Sequence, residues 1–174
     1  ISGLLLLLVV LPLVSWYYLS RGYDYQLQAR SELKDYGKWS IKSSGLDTME
    51  NTVVFALLNE NSSRDSTFYI TLVKLIEQFG ERPDFLIGLI KSSGQNITFE
   101  TLSDSNLIFI DQDDFVSDEV LVDNKLYLAD RRGTIRNSYD YHQDAALKRM
   151  VEHIALILPQ QPTSDILYIP EEEK

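Results

Sequence analysis

Two unbroken apolar runs set the frame of this chain: Thr52-Val53-Val54-Phe55-Ala56-Leu57-Leu58 and Asp84-Phe85-Leu86-Ile87-Gly88-Leu89-Ile90. A strand that is apolar at every position, rather than at alternate ones, is buried on both faces. Between the runs, Phe68, Leu72, Val73, Leu75, Ile76 and Phe79 recur at helical spacing up to Gly80, which predicts an amphipathic helix ending at that glycine. Asp65 or Ser66 can accept the unpaired first-turn N–H groups and start it. Strand, helix, strand in this order implies a right-handed crossover joining two parallel strands, and hence an α/β sheet.

The remaining elements follow from the same reading. Asn59 to Arg64 is a polar loop, and Leu107-Ile108-Phe109-Ile110 is a third short strand. Asp113-Asp114 can cap a short helix over 115–120. Residues 93–105 have room for one short helix and no clearer pattern. Lys125–Ala129 and Thr134–Tyr139 flank Asp130-Arg131-Arg132-Gly133 and form an antiparallel hairpin, with Gly133 supplying a positive φ at the bend. Residues 143–158 form a last helix whose stripe is Leu147, Met150, Val151, Ile154, Ile157 and Leu158, and Pro159 follows it. Near the start, 22–38 reads as a mostly polar helix ended by Gly37 and Ser43-Ser44-Gly45, with a short strand at Trp39-Ser40-Ile41. A parallel βα unit followed by a hairpin and a helix is the order of a thioredoxin-like domain, a mixed sheet flanked by helices.

The first twenty residues carry no charge, and Arg21 is the first ionised side chain. The run through Leu19 approaches the roughly 20 apolar residues that span a bilayer. Trp16, Tyr17 and Tyr18 close it as an interfacial belt, and Pro12 is tolerable in lipid. A cleaved signal peptide has a shorter apolar stretch ending in small residues, so one N-terminal transmembrane helix is the expectation. The chain is thereby divided into an anchor (1–20), a membrane-proximal helix and linker (21–50), a thioredoxin-like domain (51–159) and a tail (160–174). The sequence starts at Ile1 rather than Met, so a short upstream segment is expected. Without its charges, Arg21, Arg30, Lys34, Lys38 and Lys42 leave orientation open.

The formal net charge of −10 falls entirely after that run and argues against nucleic-acid or anionic-lipid partners, which need clustered cations. Arg131-Arg132 is the one adjacent basic pair at a turn, and it reads as a solvated tip. The chain has no cysteine. Thiolate catalysis, disulfides, iron–sulfur clusters and sulfur-ligated zinc or copper are therefore excluded.

The stretch from Val53-Val54-Phe55 through the helix near Ser66-Thr67, together with Leu126-Tyr127-Leu128-Ala129-Asp130-Arg131-Arg132-Gly133-Thr134-Ile135-Arg136, Tyr139-Asp140 and the final amphipathic helix, resembles the SCO/SenC family. These are thioredoxin-fold copper chaperones that assemble cytochrome oxidase. The resemblance covers roughly residues 50–158, and a single N-terminal anchor also fits it. The family carries Cys-x-x-x-Cys between the first buried strand and its helix, where this chain has Glu60 and Arg64. The family's third copper ligand, a histidine, falls near Val122. No histidine precedes His142. Cu(I) prefers thiolate and Cu(II) imidazole, and a carboxylate, a guanidinium and an aliphatic side chain supply neither. The core also has no proline from Asp84 to Leu158, so the cis-proline beside a thioredoxin-type site is missing.

The resemblance with these departures implies a non-catalytic member, with no cofactor and no metal. It would lie in a bacterial inner membrane with its domain in the periplasm, as accessory subunit or assembly scaffold of a respiratory cytochrome oxidase. Candidate partner contacts are Trp16, Tyr17, Tyr18, Asn59, Asn61 and Tyr168. Two alternatives stand beside it: a free-standing periplasmic binding module, and a metal carrier or enzyme using carboxylate and histidine ligands. For the latter, His142 precedes the last helix and His153 lies beside its apolar stripe, both read as solvated or capping. Glu60 with Asp65 could form an acid/base pair, although a salt bridge of either with Arg64 is the plainer reading. Asp111-Gln112-Asp113-Asp114 lacks the glycine and terminal glutamate of a calcium loop. Asn61-Ser62-Ser63 and Asn96-Ile97-Thr98 match glycosylation acceptors, a short and common pattern.

Overall fold

The computed structural model describes residues 2–42, 50–92 and 106–159, without the side chains of residues 2–7, 61 and 63. In chain order the elements are α1 (Ser2–Glu32), β1 (Trp39–Ile41), β2 (Thr52–Leu58), α2 (Glu60–Arg64), α3 (Ser66–Phe79), β3 (Phe85–Lys91), β4 (Leu107–Asp111), β5 (Phe115–Ser117), β6 (Lys125–Ala129), β7 (Ile135–Asp140) and α4 (Asp144–Ile157).

Five strands form one mixed sheet in the order β4-β3-β2-β6-β7. β3 is parallel to β2 and to β4, whereas β6 is antiparallel to β2 and to β7. The two unbroken apolar runs are thus neighbours in register, from Thr52 opposite Phe85 to Leu58 opposite Lys91. A thioredoxin-like domain is built this way: a parallel βα unit in the middle and an antiparallel hairpin beside it.

The apolar runs are continuous because both faces of the sheet are covered. On one face Val54, Ala56, Leu58, Ile87, Leu89, Leu126 and Leu128 pack against Phe68, Leu72 and Leu75 of α3 and Met150 and Ile154 of α4. On the other, Val53, Phe55, Leu86, Ile90 and Tyr127 meet Trp39 and Ile135. There the cover is not a helix. It is a two-stranded ribbon in which Trp39 pairs with Ser117 and Ile41 with Phe115. The Trp39 ring stacks on Phe115 at 5.9 Å and leans on Phe55 at 5.3 Å. The helices α3 and α4 therefore share one face of the sheet, and the ribbon covers the other.

The ribbon also corrects the short helix expected over 115–120. Phe115, Val116 and Ser117 are extended because β1 offers them backbone partners and Trp39 offers Phe115 a ring, and these long-range contacts outweigh local capping signals. Asp113 and Asp114 precede a strand rather than a helix. Their carbonyls accept from Lys42 Nζ at 3.1 Å and Lys42 N at 2.9 Å.

The helix expected over 22–38 ends sooner, at Glu32, and is continuous with the residues before it as α1. Residues 34–38 instead run along β7: Lys34 N donates to the Arg136 carbonyl, Tyr36 N to that of Ile135, and Ile135 N to that of Gly37. This covers an otherwise open sheet edge. Gly37 has φ +111°, and a Cβ there would stand 2.7 Å from Asp118 Cβ. Gly133 has φ +69° at the hairpin bend, as its sequence position implied. Among the described residues no helix is long and apolar enough to cross a membrane. The tail 160–174 and the stretch 93–105 lie outside the described residues.

Candidate functional site

The C-terminal end of β2 meets the start of β6 and the end of β7, since Ala56 pairs with Leu126 and Lys125 with Asp140. This pole of the sheet gathers the positions singled out from sequence: Glu60, Arg64 and Asp65 after β2, Val122 before β6, and His142 after β7.

Asn59 ends the strand with extended backbone and turns the chain into α2. Its Oδ1 accepts from Ser62 N at 2.7 Å, and Ser62 Oγ accepts from Asn59 N at 2.8 Å. This reciprocal capping box makes a helix of the segment read as a loop. The nearly buried Ser62 is the residue the sequence reading missed. The signal was weak because the motif normally closes with Glu or Gln, not Ser. Glu60 and Arg64 are both exposed on this short helix.

Asp65 caps α3, accepting from Thr67 N at 2.8 Å through Oδ1. Its Oδ2 lies 3.3 Å from His142 Nε2. Asp65 thus turns to Thr67 and His142, correcting the salt bridge with Arg64. Val122 is exposed, and its N–H donates to the Tyr127 hydroxyl at 2.6 Å. Tyr141 is buried, packs on Phe68 at 5.1 Å and on the His142 ring at 4.6 Å, and donates to Asn124 Oδ1 at 3.0 Å. Burial, with Asp65, Asp123 and Asp140 adding negative potential, pushes its hydroxyl up to about 12. Asn124 has φ +64°, a left-handed conformation that asparagine tolerates better than most residues. The Tyr141 bond fixes it there. The pole is therefore a set of locally satisfied turns carrying one carboxylate–imidazole pair. Among the described residues no group of three or more His, Cys, Asp or Glu side chains is placed to hold a metal ion.

A second polar group lies where α1, α4 and β7 meet. His153 is fully buried, which corrects its reading as a solvated or capping residue. Position 153 faces both β7 and α1, so the side of α4 that looked polar in isolation is enclosed. His153 Nδ1 is 2.6 Å from the Tyr139 hydroxyl. Burial holds that hydroxyl above its usual range, so it stays protonated and donates. The neutral ring then carries its own proton on Nε2, which lies 3.5 Å from Glu32 Oε2. Arg149 grips Glu32 with both prongs, Nε to Oε2 and Nη2 to Oε1, each 2.7 Å. Its Nη1 reaches Glu152 at 2.9 Å, and its guanidinium lies over the Tyr25 ring at 5.1 Å. The Arg149 bonds hold the Glu32 carboxyl below the usual carboxylate range, and burial followed by the Arg149 charge holds His153 below the usual imidazole value.

Of the remaining candidates, Trp16, Tyr17 and Tyr18 are exposed on α1. Asn96 and Tyr168 lie outside the described residues, as does the side chain of Asn61.

No family model matches the sequence, and no curated protein matches it. Solved structures similar to it include two from the Sco family. One is BsSco, a member of the Sco family of cytochrome c oxidase assembly proteins in which a disulfide switch was identified. It is 10% identical, with a TM-score of 0.46 over 72% of this chain and 92% of that one. The other is a SCO1/SenC family lipoprotein from Bacillus anthracis strain Ames, 10% identical, with a TM-score of 0.47 over 72% of this chain and 94% of that one.

Proposed function

We propose that the chain is a non-catalytic, SCO-like protein of a bacterial inner membrane, anchored by residues 1–20 with its domain in the periplasm. It serves a respiratory cytochrome oxidase by binding, as accessory subunit or assembly scaffold. The observation that carries this reading is the donor set at the β2 pole. Glu60, Arg64 and Val122 stand where the resemblance puts two thiolates and an imidazole, and the whole chain has no cysteine. Those side chains neither suit copper nor exchange disulfides. A fold that keeps its packed core without site chemistry retains its surface as the means to act.

The anchor is supported by the uncharged first twenty residues and by α1, which is one helix from Ser2 to Glu32. The described apolar side chains of residues 8–19, among them Leu8, Leu11, Leu13 and Leu19, are exposed. Lipid or neighbouring helices would cover them. Trp16, Tyr17 and Tyr18 are the contacts proposed at the membrane face, with Asn59 at the pole.

The test is purification of the full chain through an affinity tag in mild detergent, with mass spectrometry of the proteins retained. Oxidase subunits in constant ratio are expected, and recovery of the tagged chain alone refutes the reading. Metal analysis of the same preparation is expected to give copper well below one per chain. A second reading, a metal carrier built on His142 and carboxylates, is favoured by the 3.3 Å His142–Asp65 pair. Two protein donors fall short of the three or four that hold zinc in proteins. Stoichiometric metal that is lost in His142→Ala would establish it in place of the first.

A further inference from the structure

The turn between β6 and β7 puts Arg131 and Arg132 in a chain whose net charge is −10. Arg30 of α1 and Arg136 of β7 join them around one cleft of about 360 Å³, whose apolar wall is Leu33, Leu156 and Ile157. Asp130 is the only carboxylate among the described lining residues, and it is already engaged. Its Oδ1 accepts from the backbone N–H groups of Arg132 at 2.9 Å and Thr134 at 3.1 Å. Its Oδ2 takes Arg136 through Nε at 2.7 Å and Nη2 at 2.6 Å. The Asp130–Arg136 pair is therefore self-neutral. Arg131 gives its Nε to the Glu50 carbonyl at 3.0 Å. Among the described residues, Arg30 and Arg132 form no ion pair.

Among the described residues, Arg30 and Arg132 thus border one hollow without an ion pair, and Arg131 joins them with its field felt by Asp84, a carboxylate that Arg82 already holds. Like charges so placed repel one another unless an anion enters, and a concave wall concentrates their field. The planar fork of arginine matches phosphate oxygens two at a time. The volume lies at the low end of small-molecule sites, and a mixed polar and apolar lining is usual for them.

We propose that this cleft is a binding site for a small phosphate-bearing solute, its phosphate held by Arg30, Arg131 and Arg132 and its carbon skeleton laid along Leu33 and Ile157. A phospholipid headgroup carries the same phosphate. Arg30, however, lies ten residues beyond Ser20 on the same helix, about 15 Å along its axis. That distance places the cleft away from the end of the uncharged run and favours a ligand from solution.

The test uses the full chain in a neutral detergent and titrates inorganic pyrophosphate by calorimetry at about 0.15 M ionic strength. Saturable one-to-one binding is expected, weakened at least about tenfold in Arg30→Gln/Arg132→Gln. The melting temperature of that variant without ligand should equal the parent's, since neither side chain holds the fold together through an ion pair. Absence of saturable binding, or equal binding in the variant, overturns the site. Vesicle flotation forms the second arm. Binding to phosphatidylglycerol vesicles without any response to pyrophosphate overturns the solution ligand in favour of the headgroup.

Discussion

At position 153 an imidazole is shut away from water between Tyr139 and Glu32, and protonating it means charging a group inside the protein. The causes act in opposite directions. Burial and the Arg149 charge disfavour the cation, whereas Glu32 and Glu152 favour it, and the first two prevail. A base whose folded pKa lies below its ordinary value of 6.5 binds fewer protons folded than unfolded. Its contribution is intact above about pH 6.5 and is lost as pH falls below that, with a slope of at most about 1.4 kcal/mol per pH unit. Glu32, also depressed, acts in the same direction, but only below its ordinary value of 4.5. Denaturant titrations from pH 7.5 to 5.5 should therefore show stability falling in the parent and nearly level in His153→Gln. His142→Gln serves as comparison, since His142 is the other imidazole and is exposed. An unchanged slope in His153→Gln would show that His153 is not the source. Nothing in the local sequence marks this residue. Its partners are 14 positions away at Tyr139 and more than a hundred away at Glu32, and helical spacing within α4 carries no information about what α1 places above it.

At the scale of elements, β2, α3 and β3 were legible because burial on both faces of a strand and on one face of a helix leaves periods a sequence displays. The closing hairpin and the last helix were legible for the same reason, with Gly133 punctuating the bend. What failed to show was structure that exists only through pairing: β5 with three residues, and the extended segment 34–38 laid along β7. β5 looked helical because Asp113-Asp114 stand before it as possible caps, and 34–38 because it prolongs a polar helical stretch whose partner strand is not visible in the sequence. At the pole, Asp65 was legible as a cap, whereas its pairing with His142 depends on how β2 and β7 are brought together. Two glycines separate the local from the tertiary contribution. Gly37 has φ +111° and no space for a Cβ beside Asp118, while Gly22 in α1 has nothing within 4 Å. Gly37→Ala should destabilise by roughly 1–3 kcal/mol. Gly22→Ala should leave stability equal or raise it by up to about 1 kcal/mol through helix propensity. Urea midpoints of the two variants measure this, and a Gly37→Ala midpoint equal to the parent's would show that the 34–38 segment does not pin the edge of β7.

For the whole molecule the question is how α1 is joined to the rest. A helix leading from a membrane to a domain through a flexible linker lets the domain wander. Here the last turns of α1 belong to the domain itself: Ala29 is buried, Glu32 is held bidentately by Arg149, and the chain leaves α1 directly into the segment along β7. The Glu32–Arg149 pair is only partly shielded, with 36% and 19% of the side chains exposed. Two charge-assisted bonds in that setting contribute roughly 1–3 kcal/mol, enough to decide between docked and undocked arrangements of one helix. A domain so tied presents the β2 pole in one orientation, which suits a fixed neighbour better than a diffusing cargo. Spin labels at Asp24 and Lys74, placed on α1 and α3 and measured by pulsed dipolar spectroscopy in detergent, should give one narrow distance distribution. Glu32→Gln/Arg149→Gln should broaden it while the β-sheet signature in circular dichroism is retained. A broad distribution in the parent would mean that α1 and the domain move independently. The fixed presentation of the pole would then be lost as an argument for a stoichiometric partner.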